Sequence, residues 1–508
     1  MPPCRYLRPG LQRSGPRATA AMMTIRRPKL LLVYPPITPR ERYSSAIGAS
    51  GGRQIPLGIY YLAAFTGRHG FKTDVIDAEA TQQTNAQIID RLHAGGFNVL
   101  GISSTTVAFH RALALAQAVK AASPETVVVI GGPHVSSQPT HPLEWHAFDF
   151  AVRNEGELTL VELLEALAGR RPLEAIAGLV YRSDTGVVVN PKRPFIQDLD
   201  ALPFPAYDRI DDLTRYTPPP CNYKASPVAN VITSRGCPSR CTFCDTNTFG
   251  RRVRFRSAEN VAAEIEHLSR AYGVREIAFV DDTFTLRRQR IVDLFQRTRA
   301  MGLRFPWTCM ARIDTVDEAL LQTMRANGCW HISFGIESGD ADILKIIRKD
   351  IDLSATRRVI AACRRLGILT KGFFIIGHPA ETPATIEATI RLALNLDLDD
   401  VVVTINTPIP GSEQFDRAAQ YGTLDISDWS KYNYWNPVFV PHGMSREVLT
   451  AKHREFYRRF YLRPHILWRY AKSFCSPTGL RRLAAIAASA RFLLPETRTH
   501  SAPQPPVE

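Results

Sequence analysis

Short apolar runs alternate with amphipathic segments twice along this chain, and a proline-rich stretch separates the two rounds. In the first round KLLLVYPP (29–36), FKTDVID (71–77), NVLGISS (98–104), TVVVIGG (126–132) and DFAV (149–152) read as strands. Most are continuous apolar runs, which suits strands covered on both faces of a parallel sheet. Between them, residues 56–69, 85–94, 108–122 and 156–167 read as helices, with Pro56 near the start of the first. This alternation over residues 29–168 predicts a doubly wound, flavodoxin-like α/β domain.

Residues 169–225 break the rhythm. GLVYRSDTGVVV (178–189) predicts a hairpin turning at Asp184-Thr185-Gly186, and Pro191, Pro194, Pro203, Pro205 and Pro218-Pro219-Pro220 mark a junction. The alternation then restarts. Strands are expected at 228–234, 276–282, 305–311, 330–336, 370–377 and 400–406, and helices at 258–271, 287–300, 315–326, 354–366 and 383–396. A closed eight-unit barrel takes about 250 residues. Six units within 226–410 therefore predict a partial (β/α)6 barrel, with 411–508 as a mostly helical extension.

Parallel sheets bind ligands beyond the carboxyl ends of their strands, and polar residues collect there in both domains. The first offers Ser103-Ser104-Thr105-Thr106, Gly131-Gly132-Pro133-His134 and Asn154-Glu155-Gly156-Glu157. Small and hydroxyl residues let a large polar ligand approach the backbone, although any such sheet also needs turn residues. No G-x-G-x-x-G follows the first strand, so a dinucleotide is not indicated. The second domain offers Asp281-Asp282, Arg312, Glu337-Ser338-Gly339 and Gly377-His378-Pro379-Ala380-Glu381.

Composition adds a net charge of +15 over 508 residues. Residues 1–29 carry seven basic residues and no acid, and residues 451–508 carry eleven basic against three acidic. The remainder, 30–450, is formally neutral, so a nucleic-acid partner is not expected. Residues 1–28 read as a disordered basic tail, or as sequence before a later start at Met22-Met23. The stripe in LRRLAAIAASARFLL (480–494) suits docking on the protein's own core or, with Arg481, Arg482 and Arg491, peripheral contact with a membrane.

Nine cysteines, three of them within eight residues, exclude a secreted disulfide framework and fit a reducing cytoplasm and a metal. Cys237, Cys241 and Cys244 stand as C-x-x-x-C-x-x-C on the loop after the first barrel strand. Three thiolates hold three corners of an iron–sulfur cube and leave one iron open, whereas structural zinc wants a fourth protein ligand. Cys309 falls near the end of the third barrel strand, where a thiol can quench or relay a radical; a free Cys is more often a small buried hydrophobe. Cys221 reads as a surface thiol or another such hydrophobe.

This loop, with Phe243 before its third cysteine, resembles the signature of radical S-adenosylmethionine enzymes. Asp281-Asp282 stands where that family often has Gly-Gly-Glu, and Phe334–Gly339 and Gly372–Gly377 also look like family strands. Upstream, Pro56–Ala63, Gly101-Ile102-Ser103, Gly131–His134 and Glu155-Gly156-Glu157 resemble the cobalamin-binding module fused to one branch of the family. The resemblance covers about residues 29–410. It departs in one respect: no histidine has an Asp two residues before it, so the D-x-H-x-x-G axial ligand is missing.

The resemblance implies three cofactors: a 4Fe–4S cluster on Cys237, Cys241 and Cys244, S-adenosylmethionine and cobalamin. Phe243, Asp281, Asp282, Arg312, Glu337, Ser338 and Gly377 would border S-adenosylmethionine. Ser103, Thr105, Gly131, Gly132, His134, Glu155 and Gly156 would border cobalamin. The implied reaction is radical methylation of an unactivated carbon in a small-molecule or lipid substrate, driven by a reductant such as flavodoxin or ferredoxin. The alternatives are a radical oxidative cyclisation or rearrangement of the anaerobic porphyrin-ester cyclase kind, a non-catalytic corrinoid-binding protein, and a zinc-stabilised binding protein.

Overall fold

The computed structural model describes residues 25–47, 51–219 and 222–473. Residues 1–24 of the expected basic tail, Cys221 and the 480–494 stripe fall outside the described residues; Ile25, expected in that tail, instead packs on the core and its N–H donates to Leu167 O at 2.7 Å.

Strands β1 (Lys29–Tyr34), β2 (Lys72–Asp77), β3 (Val99–Ser103), β4 (Val127–Gly131) and β5 (Phe150–Val152) form a parallel sheet in the order β2-β1-β3-β4-β5. This is the doubly wound order whose direction reverses at β1 and β3. Two cores flank it. Leu31, Val33, Leu100, Ile102, Val128 and Ile130 face one layer, and Leu30, Leu32, Val99, Val127 and Val129 face the other. Alternate residues thus reach opposite helix layers, which is why the sequence reads as unbroken apolar runs.

The hairpin belongs to this sheet. β6 (Leu179–Ser183) pairs antiparallel with β5, and β7 (Gly186–Val189) closes the edge, giving seven strands. Leu179, Val180 and Tyr181 are buried there.

The second sheet holds β8 (Val228–Val231), β11 (Glu276–Phe279), β12 (Trp307–Ala311), β13 (Cys329–Glu337), β14 (Leu369–Ile376) and β15 (Asp400–Ile405), all parallel and in chain order. β8 and β15 are not paired, so the barrel stays open. Between β8 and β11 lies a small ladder of β9 (Ser234–Arg235) and β10 (Arg254–Phe255), which clamps the two ends of the cysteine loop. Helix Arg446–Tyr461 packs on the open edge: Tyr457 and His453 bond to the backbone of Val403 in β15. Among the described residues no helix is long and apolar enough to cross a membrane.

Candidate cofactor chamber and cluster loop

A chamber of about 1170 Å³ lies between the carboxyl ends of the first sheet's strands and the barrel, where it is lined by the segment after β8 and by residues of β14 and β15. That exceeds the roughly 300–1,000 Å³ of a drug-sized ligand pocket. Ser103, Thr105, Gly131, Gly132, Asn154 and Gly156 border it from the first sheet, and Ile232, Arg235, Phe249 and Phe373 from the barrel. From the strand ends the chamber continues along one face of the first sheet, past Gly101, Val129 and Val152. A Cβ at Gly101 would meet Leu32 Cδ2 at 2.7 Å. At Gly132, with φ +101°, it would meet the backbone of Ser104 at 2.8 and 2.9 Å. Thr105 Oγ1 is buried there without a protein partner. A long slot of glycines with an orphaned hydroxyl at its rim fits a flat, amide-rich cofactor such as cobalamin.

On the barrel side the cysteine loop is held from several directions. Cys237 N donates to Gly250 O, Thr242 N to Ile347 O and Gln414 N to Thr242 O. Gly236 has φ +98°, and a Cβ on it would meet Arg252 O at 2.8 Å. Cys241 is buried, Cys237 partly buried and Cys244 exposed. Burial pushes the Cys241 thiol up, and the charges of Lys349 and Arg312 pull it back down. Arg312 Nη1 lies 3.9 Å from Cys241 Sγ, and its guanidinium is fixed by Asp314 at 2.9 Å and by Lys349 O. Cys244 keeps an open face. The protein packed around its sulfur, then the charges of Cys241, Cys237, Asp282 and Asp245, push it up to about 12. Three thiols crowded on one loop repel one another once ionised, a repulsion that a bound cationic iron–sulfur core would relieve.

Among the described residues no three His, Cys, Asp or Glu side chains converge closely enough to hold a single metal ion.

Phe243 stacks obliquely on His378 at 5.7 Å. Both ring nitrogens of His378 and Glu381 Oε1 are buried without partners. Glu381 Oε2 accepts from the amides of Gly377 and His378. Gly377, φ +85°, turns the chain at the end of β14. Glu337, at φ +67°, is bound to buried Lys349 at 2.7 Å, and Asp282 is exposed. These orphaned polar atoms beside the cysteine loop fit a polar ligand such as S-adenosylmethionine.

Other expected contacts are engaged elsewhere. Asp281 is fully buried; its Oδ1 accepts from Thr233 N, Thr233 Oγ1 and Ser234 Oγ and braces β8 against β11, while its Oδ2 is buried without a partner. Ser338 Oγ bonds to Thr389 Oγ1 in the helix layer. His134 corrects the sequence reading most clearly. Its ring lies among Phe109, His141 and Trp429, with one nitrogen on Thr106 and the other on His141, and it does not line the chamber. Burial, then His141, hold that ring neutral, down to about 3. Cys309 packs in the core near Cys329 and Cys363, where burial raises its thiol; it is not placed as a radical relay.

Glu155 borders the chamber but is held by arginines. It accepts from Arg235 at 2.9 Å and from Arg254 at 2.8 Å, while Glu157 accepts from Arg235 at 2.7 Å. These side chains are only 3–5% exposed. Arg235 also lies over the rings of Tyr61 and Phe249. Sequence reasoning missed Arg235, Arg254, Lys349 and the Arg42–Glu79–Tyr34 cluster, where Arg42 donates to both partners at the rim. A signal for Arg235 was present: a cation two residues before a cysteine loop, with two acids at another strand end.

Comparison with known proteins agrees with this architecture. The Radical SAM superfamily model matches residues 231–393, and the B12 binding domain model matches 43–164. An uncharacterized methyltransferase of Pyrococcus horikoshii is 37% identical over 443 residues, 86% of this chain and 94% of the relative. The anaerobic magnesium-protoporphyrin IX monomethyl ester cyclase of Rubrivivax gelatinosus is 28% identical over 445 residues, 85% and 77% of the two chains. The solved structure of the cobalamin-dependent S-adenosylmethionine radical enzyme OxsB, with aqua-cobalamin and S-adenosylmethionine bound, shares the fold. Its TM-score is 0.70 at 17% identity, over 91% of this chain and 72% of that one. The chain belongs to the cobalamin-dependent radical S-adenosylmethionine enzymes.

Proposed function

We propose that this enzyme transfers a methyl group to an unactivated carbon of a small molecule held between its two sheets. The observation that carries this is the chamber between the two sheets, bordered by Ser103, Thr105, Gly131 and Gly132 on one side and, on the other, by Arg235 and Phe249, which flank the cysteine loop. A methyl acceptor placed there is within reach of both cofactors. The alignment with a methyltransferase over 86% of the chain supports the same reading.

Cys237, Cys241 and Cys244 would hold the cluster. Phe243, His378 and Glu381 would border S-adenosylmethionine, with Asp282, Glu337 and Gly377 nearby. Ser103, Thr105, Gly131, Gly132 and Gly156 would flank cobalamin. When bound, the cluster and S-adenosylmethionine supply a radical that abstracts hydrogen, and cobalamin supplies the methyl group. The protein's own work is placement and dryness. Arg312 and Lys349 hold positive charge at the cysteine loop, and the apolar walls keep water from a radical. A low-potential reductant such as flavodoxin or ferredoxin, in the cytoplasm, completes the scheme.

Anaerobic reconstitution with iron, sulfide and cobalamin tests this. Methyl transfer consumes two S-adenosylmethionine molecules and releases both 5′-deoxyadenosine and S-adenosylhomocysteine, with label from the S-methyl group in the product. Oxidative cyclisation, the activity in the name of the Rubrivivax relative, would give deoxyadenosine with no methyl label.

A further inference from the structure

The charged side chains that line the chamber are paired, with one exception. Arg42 binds Glu79 at 2.6 Å and Lys371 binds Asp400 at 2.6 Å. Arg235 binds both Glu155 and Glu157, and Arg254 brings a second cation to Glu155. Every acid of the lining is thus met by a cation. Arg53 also lines the chamber, and among the described residues it forms no ion pair. The walls and their ion partners therefore hold a surplus of positive charge, and Arg53 carries it.

The local fold sets where that cation stands. Tyr43 Oη donates to Gly52 O at 2.6 Å, and Arg53 N donates to Thr217 O at 2.8 Å, so the backbone of this segment is held from both sides. Burial raises the Asp77 carboxyl and the Tyr43 hydroxyl, and the Arg53 charge opposes the rise at each. The guanidinium is thus close enough to be felt by both. Asp77 does not line the chamber, and its Oδ1 caps the short helix after β2 through Ala80 N. Aromatic rings share this part of the wall: Tyr43 and Trp435 meet edge to face at 5.7 Å, and both line the chamber. The glycine slot that fits cobalamin runs the other way, past Gly101, Val129 and Val152 on β3, β4 and β5, whereas β1 and β2 form the opposite end of the sheet. A partly buried guanidinium offers a planar fork that matches a carboxylate or phosphate, and its attraction for an anion strengthens where water is excluded.

We propose that Arg53 receives a carboxylate or phosphate of the substrate, whose apolar or aromatic body lies against Tyr43 and Trp435. This rests on reading the chamber as the place of the methyl acceptor, and it names the class of that molecule. The test uses the cobalamin- and cluster-loaded enzyme in equilibrium dialysis with 6-phenylhexanoate and 6-phenylhexanol, equal in body and different in charge. Arg53→Gln is expected to weaken phenylhexanoate at least about tenfold and to change phenylhexanol by less than about twofold. Arg53→Lys, which keeps the charge but not the fork, is expected to recover part of the loss. Unchanged phenylhexanoate affinity in Arg53→Gln protein that keeps its cobalamin and cluster absorbance overturns the proposal. So does an equal loss of both probes, or no measurable binding of phenylhexanoate to the parent. Retention of cobalamin is compared with that of cobinamide, which lacks the nucleotide phosphate. A loss in Arg53→Gln confined to cobalamin would give Arg53 to that phosphate and overturn the substrate assignment. Deoxyadenosine release and cobalamin absorbance of the parent are recorded alongside. If both are present, a negative result removes only the substrate class; if they are absent, the cofactor reading falls with it.

Discussion

Glu155, at the end of a strand in the cobalamin-binding domain, accepts a hydrogen bond at 2.9 Å from Arg235, which stands two residues before Cys237, the first cysteine of the loop. Arg235 bonds Glu157 as well, and Arg254, from the strand that closes the cysteine loop, bonds Glu155. The two cofactor edges are thus tied through one buried ion network, so the spacing between them is set by charge pairing as well as by apolar contact.

Arg235→Met would leave Glu157 buried without its partner and Glu155 with half its own. Breaking a buried pair from one side costs about 3–5 kcal/mol. Urea denaturation should show a loss of that order together with reduced iron retention. Unchanged stability would mean that the network contributes nothing net.

Cys241→Ala should abolish the iron–sulfur absorbance and deoxyadenosine release while leaving cobalamin retention near the parent level, because the cobalamin slot is built by the first sheet. Deoxyadenosine release that survives the substitution would sink the cluster assignment.

Gly132→Ala places a Cβ within 3 Å of the Ser104 backbone at a φ of +101°. Strain of this kind costs about 1–3 kcal/mol. Cobalamin retention should fall several-fold, with the cluster spectrum preserved. The neighbouring Gly131, whose Cβ would meet nothing nearer than 3.5 Å, should tolerate alanine better in the free protein.

Burial raises the Glu381 carboxyl to about 8 from 4.5, against the lowering effect of the His378 and Gly377 amides. Folding therefore favours the protonated acid. That contribution is complete below pH 4.5 and is lost as pH rises to 8. Glu381→Gln keeps a neutral group and an acceptor for both amides. Denaturation of cluster-loaded protein without S-adenosylmethionine should show the parent falling behind the variant across this window, by on the order of a few kcal/mol. A pH-independent difference would contradict the buried neutral acid.

Local pattern sufficed for the parallel strands of both sheets, the cysteine loop and the polar ends of the strands, because each is written in a short stretch of chain. Apolar runs such as 126–132 suit only a doubly covered strand, and Cys237, Cys241 and Cys244 share one loop. Only the tertiary structure decided what each polar residue faces. His134 follows its strand as a ligand would, but the short helix Pro133–Ser137 carries its ring among Phe109, His141 and Trp429. Glu155 reads as a cofactor contact until Arg235, 80 residues away, claims it. The hairpin at 178–189 reads as linker because local pattern does not reveal that β5 has a free edge to cover. Periodicity fixes the side of a strand on which a residue lies; the partner that meets it there depends on packing between segments distant in the chain, which no local pattern encodes.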